Sequence, residues 1–493
     1  MGRGMDRALL DYIVAHVDED TPRLAYADWL DENDRPEHAE FVRVQVERAG
    51  LPAWDPAQVR LRLREEALLK QFGEAWLAEM PRVEGARWEG FRRGVVAEVS
   101  FASYEAMRKS AQACRALAPV EAVTVRWPRR RDGRGEVEPI AELRELSLTG
   151  HPAREEEVRW LADSPQLSTL RALTARGLWP EGMGRLVASP HLVALKALRI
   201  PSNNLGNAGI VALVGASLPA LEELDLSGRG VSERYNDDPI VRSPGMESLA
   251  EWEGLARVRS LTLSGNEFGA AGLRTLLRSP HVTGLKQLSV RGGRLNGGAM
   301  GAFRDARPEL QLDALDVGEN VLGASGADYL AGARCLSELK TLRLDRCEIP
   351  AAAARLMAKQ APFIDTLRVL DVGHNHFGTI ALSGLLGRKP PALHTLRLRD
   401  NDLFDKGAAL LAGSPGSDGL LEVDLSLNNL RAAAARALGA SPYLRGLLVL
   451  RLGDNPIPGP DTAALAASPL GKRLTVLELP GLPLNGPDDP IPF

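Results

Sequence analysis

"LRVLDVGHNHFG", Leu367–Gly378, contains His374-Asn375-His376, a pattern that scans as the core of a metal-dependent nuclease. The rest of the chain gives these twelve residues another meaning. Set beneath them, "LDALDVGENVL" from Leu312, "LHTLRLRDNDL" from Leu393 and "LLEVDLSLNNL" from Leu420 repeat apolar residues at places one, four, six and eleven, with asparagine at place nine. Thirteen such starts run from Leu143 to Leu474, spaced 27, 25, 26, 37, 27, 27, 27, 28, 26, 27, 27 and 27 residues apart. A period of this size marks a solenoid, in which each unit buries its apolar face only against its neighbours. Asn375 is the ninth residue of its unit, and the two histidines flank it. Side chains on either side of a turn residue diverge and no third histidine is close in sequence, so no metal site is read here.

Each unit follows L-x-x-L-x-L-x-x-N/C-x-L and continues into an Ala/Leu-rich helical stretch that often stops at Ser-Pro, as at Ser279-Pro280 and Ser441-Pro442, where proline cannot extend a helix. The inward leucines belong to a short strand. Asparagine at place nine (Asn203, Asn266, Asn320, Asn375, Asn401, Asn428 and Asn455) has an amide that can satisfy backbone groups left unpaired where the strand turns. Cys347 fills the same place and reads as a buried packing residue. The pattern is identified as a leucine-rich repeat array and, at about 27 residues with a full helix per unit, resembles the ribonuclease-inhibitor type from Leu143 onward. That resemblance implies an α/β horseshoe, with a parallel sheet on its concave face and helices on its convex face.

Residues 1–82 have a different texture. "MDRALLDYIVAHVDED", "TPRLAYADWLDE" and the stretch after Pro36 read as three helices, with one or two more in Pro56–Met80, and residues 1–80 carry 17 acidic against 10 basic side chains. "PRLAYADWLDE", Pro22–Glu32, with "EFVRVQ", Glu40–Gln45, "FGEAWL" and "GFRRGVVAEVSF" resembles the bacterial repeat-companion domain, a module of undefined role seen ahead of leucine-rich repeats. Trp29, Tyr26, Leu24 and Leu30 are expected to form its core, and Asp28, Asp31, Glu32 and Asp34 a solvated acidic face without calcium-loop spacing. "VVAEVSF" from Val95 and "VEAVTVRW" from Val120 keep the apolar rhythm with weaker leucines, so residues 83–142 read as degenerate capping strands ahead of the solenoid at 143–493.

Composition narrows function. With 60 Lys+Arg against 64 Asp+Glu there is no overall field to recruit nucleic acid or an anionic membrane. Three scattered cysteines suit a reducing compartment, and no 18-residue apolar run or signal-peptide pattern is present, so a cytoplasmic protein is expected. No G-x-S-x-G, H-E-x-x-H or G-x-x-x-x-G-K-[ST] occurs, and neither catalytic residues, metal nor cofactor is assigned. The reading is a non-enzymatic scaffold for a partner protein. No nucleic acid, membrane or small-molecule substrate is expected. The alternative is a regulator of an enzyme, since similar horseshoes include GTPase activators and nuclease inhibitors.

Alternate strand residues share a face, which puts places three, five and seven on the concave surface. Place five from the unit at Leu312 onward reads Asp316, Arg343, Asp371, Arg397, Asp424, Arg451, Glu478, alternating in sign. Strands ~4.8 Å apart would make this an ionic ladder of solvent-facing rungs, each Arg forking to both neighbours and each worth ~0.2–1 kcal/mol. The expected partner contacts are Arg291, Asp345, Arg346, Arg399, Asp400 and Asp454, with Val369, Val449 and Val476 as an apolar stripe and Gly318, Gly373 and Gly453 keeping the floor open. The 37-residue unit adds Tyr235, Asn236, Asp237 and Asp238 on an inserted loop, and Arg129, Arg130, Arg131 and Arg134 read as a solvated turn.

Overall fold

A computed structural model describes residues 2–127, 143–150, 155–176, 178–202, 204–228 and 240–480. It divides into two compact units, Met1–Leu205 with Gly215–Asp225, and Gly206–Val214 with Leu226–Phe493.

The first unit opens with α1 (Gly2–Ala15), α2 (Thr21–Glu32), α3 (Pro36–Ala49), α4 (Ala57–Leu68) and α5 (Glu74–Ala78), the last two joined by a π-helical turn. Proline starts α2 and α3, where its missing N–H costs nothing. Ile13, Tyr26, Leu30, Val42 and Val46 form one buried cluster with Trp29 packed at its edge, while Leu24 is 40% exposed and falls outside the predicted core. Asp28 and Asp31, on the predicted acidic face, both pair with Arg43. A second cluster stacks His38 on Trp76 at 4.6 Å and sets Phe41 edge-on to Phe91 at 5.1 Å.

Strands β1 (Ala86–Arg92) and β2 (Val95–Phe101) form an antiparallel hairpin. Arg93 and Gly94, both at positive φ (44° and 87°), make the tight turn that suits strand twist. Only glycine fits there: a Cβ on Gly94 would lie 2.3 Å from Val42 Cα on α3. The first hairpin strand is an addition to the two capping strands expected in 83–142. Helix α6 (Tyr104–Arg115) leads to β3 (Ala122–Trp127), β4 (Glu145–Gly150), β5 (Ala172–Ala175), β6 (Ala197–Arg199) and β7 (Glu223–Asp225), all parallel and in register. The helical module is seated on these strands. Fully buried Arg23 pairs with Glu121 at 2.9 Å, and Arg93 donates to the Val17 carbonyl at 3.0 Å and to Asp20 at 3.0 Å.

The second unit is the regular array. Strands β8 (Ser260–Thr262), β9 (Gln287–Ser289), β10 (Ala314–Asp316), β11 (Thr341–Arg343), β12 (Val369–Asp371), β13 (Thr395–Arg397), β14 (Glu422–Asp424), β15 (Val449–Arg451) and β16 (Val476–Glu478) are parallel, each facing the next without slip. Leu288, Leu315, Leu342, Leu370, Leu396, Val423, Leu450 and Leu477 stack as one file, buried through Leu450. Three-residue strands cannot stand alone; helices such as Gly378–Arg388 and Phe404–Gly413 return the chain and close the core behind them. The serine of Ser-Pro adds a tie absent from the proline argument: Ser279 and Ser441 hydroxyls donate to carbonyls of the preceding helix, Ala250 and Ala412, the latter at 2.6 Å.

Candidate recognition surface

The ninth-place asparagines bind repeat to repeat. Asn375 Oδ1 accepts from the N–H groups of Cys347 (3.1 Å) and Ile349 (3.0 Å) one repeat back. Its Nδ2 donates to the carbonyls of Leu344 (2.8 Å), Val372 (2.9 Å) and Gly373 (3.0 Å). Asn266, Asn320, Asn401, Asn428 and Asn455 are buried and bonded in the same manner; Asn203 lies outside the described residues. Cys347 is fully buried, its thiol donating to Val317 O at 3.4 Å, and burial raises its pKa to about 12. Burial likewise raises Cys114 to about 11 and Cys335 to about 12, leaving all three as unreactive thiols.

What the asparagines secure is a column of left-handed residues at place eight. Gly265 and Gly292 take it freely, but Glu319, Arg346, His374, Asp400, Leu427 and Asp454 also sit at φ 52–56°. Their side chains lie along the turn rim. His374 Nδ1 meets Asp400 Oδ2 at 2.9 Å and its Nε2 meets Arg346 at 3.2 Å, whereas His376 faces Asp402 at 3.6 Å and is 72% exposed. The two imidazoles therefore serve separate carboxylates. Among the described residues no group of three His, Cys, Asp or Glu could hold a metal, and no helix is long and apolar enough to cross a membrane.

Place five aligns as the ladder requires, with Asp316, Arg343, Asp371, Arg397, Asp424, Arg451 and Glu478 facing one another in turn. Its bonding differs from the simple fork. Asp316, Asp371 and Asp424 each accept the backbone N–H two residues on (Gly318, Gly373, Ser426) at 2.8–3.0 Å. Arg397 (3.4 Å) and Arg451 (2.6 Å) converge instead on Glu422, at place three of the strand between them. The longer Glu422 reaches both guanidinium groups while the aspartates turn one oxygen back to the main chain, and the expected neighbours still pair at Asp316–Arg343 (3.6 Å) and Arg451–Glu478 (3.7 Å). The aspartate rungs are also less exposed than expected: Asp316 is 3% and Asp424 8% exposed. Burial, with Asp345 nearby, raises Asp371 to about 6; burial raises Asp316 and lowers Arg343.

Place seven corrects the expectation of an open floor. Arg291 extends across Gly318 to Asp345, two strands away, Nη1 meeting Oδ1 at 2.7 Å, and also reaches Glu319 at 3.0 Å. A Cβ on Gly318 would lie 2.4 Å from Arg291 Nη1 and 2.6 Å from Asp345 Oδ1. Burial opposes the charge on Arg291, but Asp345 and Asp316 outweigh it and hold the guanidinium above its ordinary pKa. One on Gly453 would meet Glu478 Oε1 at 2.6 Å. These glycines make room for the chain's own charges. Arg399 likewise spans two strands to Asp454 at 3.3 Å, and Val369 and Val449 are buried, so they form no open stripe. Tyr235, Asn236, Asp237, Asp238 and the arginines at 129–134 lie outside the described residues.

One surface residue escaped the sequence reading. At place twelve, ahead of the helix, Gly269, Gly323 and Gly378 take φ 56–63°; Phe404 occupies the same place at φ 52° with half its surface exposed. Ile380, in the first turn of the preceding repeat's helix, is 53% exposed, and Asp400 and Asp402 stand exposed just before Phe404. Glycine at this place in the units at Leu195, Val258, Leu312 and Leu367, beside Asn296, Pro350, Arg431 and Pro458 in others, is the signal that would have singled out a phenylalanine there.

Among known proteins, no family model matches the chain. Ribonuclease inhibitor of Sus scrofa is 31% identical over 262 residues, covering 50% of this chain and 54% of its own length, so the chain spans about half of the curated relative it matches. Similar solved structures include a TLR13–ssRNA13 complex (16% identical, TM-score 0.39, 71% of this chain and 51% of that one). The repeat protein LegL7 from Legionella pneumophila is 17% identical with TM-score 0.39, over 59% of this chain and 94% of that one. An internalin from Listeria monocytogenes is 14% identical with TM-score 0.34, over 70% and 84%. The unbroken strand register and the asparagine column give this chain a leucine-rich repeat fold, with which the stretch similar to ribonuclease inhibitor agrees.

Proposed function

We propose that this protein is a non-catalytic scaffold, working in the bacterial cytoplasm, that holds a partner protein against the turn rim of its regular repeats. The observation that carries the reading is Phe404: an aromatic ring half open to water, at a left-handed place that Gly206, Gly269, Gly323 and Gly378 take in four other repeats. Left-handed φ costs a non-glycine residue ~1–2 kcal/mol, and here it comes with a ring left open to water. An exposed aromatic flanked by charges is the composition of an interface anchor with its polar border. Arg346, Arg399, Asp400 and Asp454 belong to that border, whereas Arg291 and Asp345 satisfy each other. The committed arginines of place five also weigh against nucleic acid along the strand face.

Affinity capture with the intact protein as bait, compared with F404G and with the R346E/R399E pair, tests this. Loss of the same captured protein from both baits supports it; retention by both refutes it. A second reading, a regulator of an enzyme, rests on the identity to a protein named for inhibiting ribonuclease. It requires that adding this protein slow a ribonuclease, measured as turnover of a fluorogenic RNA.

A further inference from the structure

Inside the first unit, a cavity of about 590 Å3 opens where the helical module meets the first repeats. Val14 near the end of α1, Val17 just after it, and Pro119 and Val120 after α6 are apolar lining residues, and Arg115, Arg144 and Arg171 line it as well. We propose that this cavity binds a small organic anion, an apolar body ending in a carboxylate or phosphate, whose head is gripped by Arg144 and Arg171.

The volume lies within the range of sites that enclose small molecules, and the mixture of apolar lining and convergent cations is what such sites present. The arginines come from successive repeats, at the second place of each unit, and they already display a seat for an oxyanion. Asp18 Oδ1 accepts from Arg144 Nη1 and, at 2.7 Å, from Arg171 Nη1, while Oδ2 accepts from Arg171 Nη2 at 3.0 Å. An internal carboxylate thus holds the place of a ligand's head, and those hydrogen bonds keep Asp18 well below the ordinary carboxylate range. The seat is exchangeable. Asp18 is 53% and Arg171 44% exposed, so their contact is weak in water. The segment carrying Asp18 is held separately, because Arg93 donates to the carbonyls of Val17 (3.0 Å) and Asp18 (3.3 Å) and to Asp20. Swinging the Asp18 side chain aside need not lift the module. Asp18 itself does not line the cavity, and the carboxylates that do have partners: Asp11 pairs with Arg7 at 2.7 Å and Glu121 with Arg23 at 2.9 Å. No motif announces this site, because its walls come from segments far apart in sequence, and a search for short patterns passes over it.

The test is calorimetric titration of the full chain at low salt with octanoate and with phenyl phosphate, chloride and inorganic phosphate serving as head-only controls. Binding of octanoate or phenyl phosphate is expected, the preferred head telling a carboxylate ligand from a phosphate one, and the head-only ions should bind more weakly. D18N, which removes the competing carboxylate, should tighten binding about two- to fivefold. R171Q and R144Q should each weaken it about tenfold or more, with the circular dichroism spectrum unchanged. A purely structural Asp18 predicts the opposite for D18N, a lower melting temperature with no gain in affinity. That outcome overturns the proposal, as does equal affinity in R171Q and the wild type, or no heat from either organic probe with both wild type and D18N.

Discussion

Replacing Asn375 by alanine removes five hydrogen bonds of 2.8–3.1 Å and strands the Cys347 and Ile349 N–H groups and the Leu344 carbonyl in the interior, while the Val372 and Gly373 carbonyls keep Asn401 Nδ2 and the Arg346 N–H. Each such bond is worth ~0.5–1.5 kcal/mol net, and a buried group left without a partner costs ~1–3 kcal/mol. Three acceptors share the two hydrogens of one amide, so the bonds do not add fully, and about 3–5 kcal/mol is expected. His376, largely in solvent, should cost under ~0.5 kcal/mol as alanine, and His374, with two rim contacts, under ~1 kcal/mol. Urea unfolding followed by circular dichroism gives the ranking. Repeat arrays can unfold in segments, so hydrogen exchange at the Cys347 and Ile349 amides gives a local check: both should exchange faster in N375A and not in H376A. If N375A moved the urea midpoint no further than H376A, the claim that the asparagine, not the histidines, explains this stretch would fail.

Gly318→Ala should cost about 2–3 kcal/mol in the same assay by forcing Arg291 from Asp345, whereas Gly413→Ala, with open space around its Cβ, should stay within ~0.5 kcal/mol. Because Asp371 is raised to about 6 in the folded protein, its contribution is fully present below pH ~4 and lost as pH rises through about 6. D371N should therefore gain on the wild type over that window, by about 1–2 kcal/mol once the partial exposure of Asp371 is allowed for, as read from melting temperatures at pH 4, 5, 6 and 7. F404G should fold with stability within ~1 kcal/mol of the wild type or above it, since relief of the left-handed strain offsets the lost ring contacts. A loss above ~2 kcal/mol would make Phe404 a packing residue and remove the main support for a rim interface.

The repeat, its register and the sign order of the ladder were all legible in the sequence, because each depends only on a period and on the two-residue alternation of strands. Where side chains go was legible less often. Arg397 and Arg451 both meet Glu422, at place three, because side-chain length brings a glutamate within reach of both guanidinium groups, and that does not follow from spacing. Gly318 suggested empty floor, yet an arginine from the adjacent strand fills it. The β1 hairpin strand was hidden by weak leucines, although Arg93-Gly94 between alternating apolar residues carries its turn signal. Phe404 stands out only when the twelfth places are compared, since a lone phenylalanine near a helix start reads as core.

The chain's charges count repeats in twos. Aspartate or glutamate and arginine trade places at every step from Asp316 to Glu478, and Arg291 and Arg399 find their acids two strands away. Excising the one repeat that contains Arg343 would press Asp316 against Asp371, while excising it together with the next would bring Asp316 beside Arg397. Loss of two repeats from this stretch is therefore expected to cost less than loss of one, so in charge the stretch repeats at about twice the period that the leucines display.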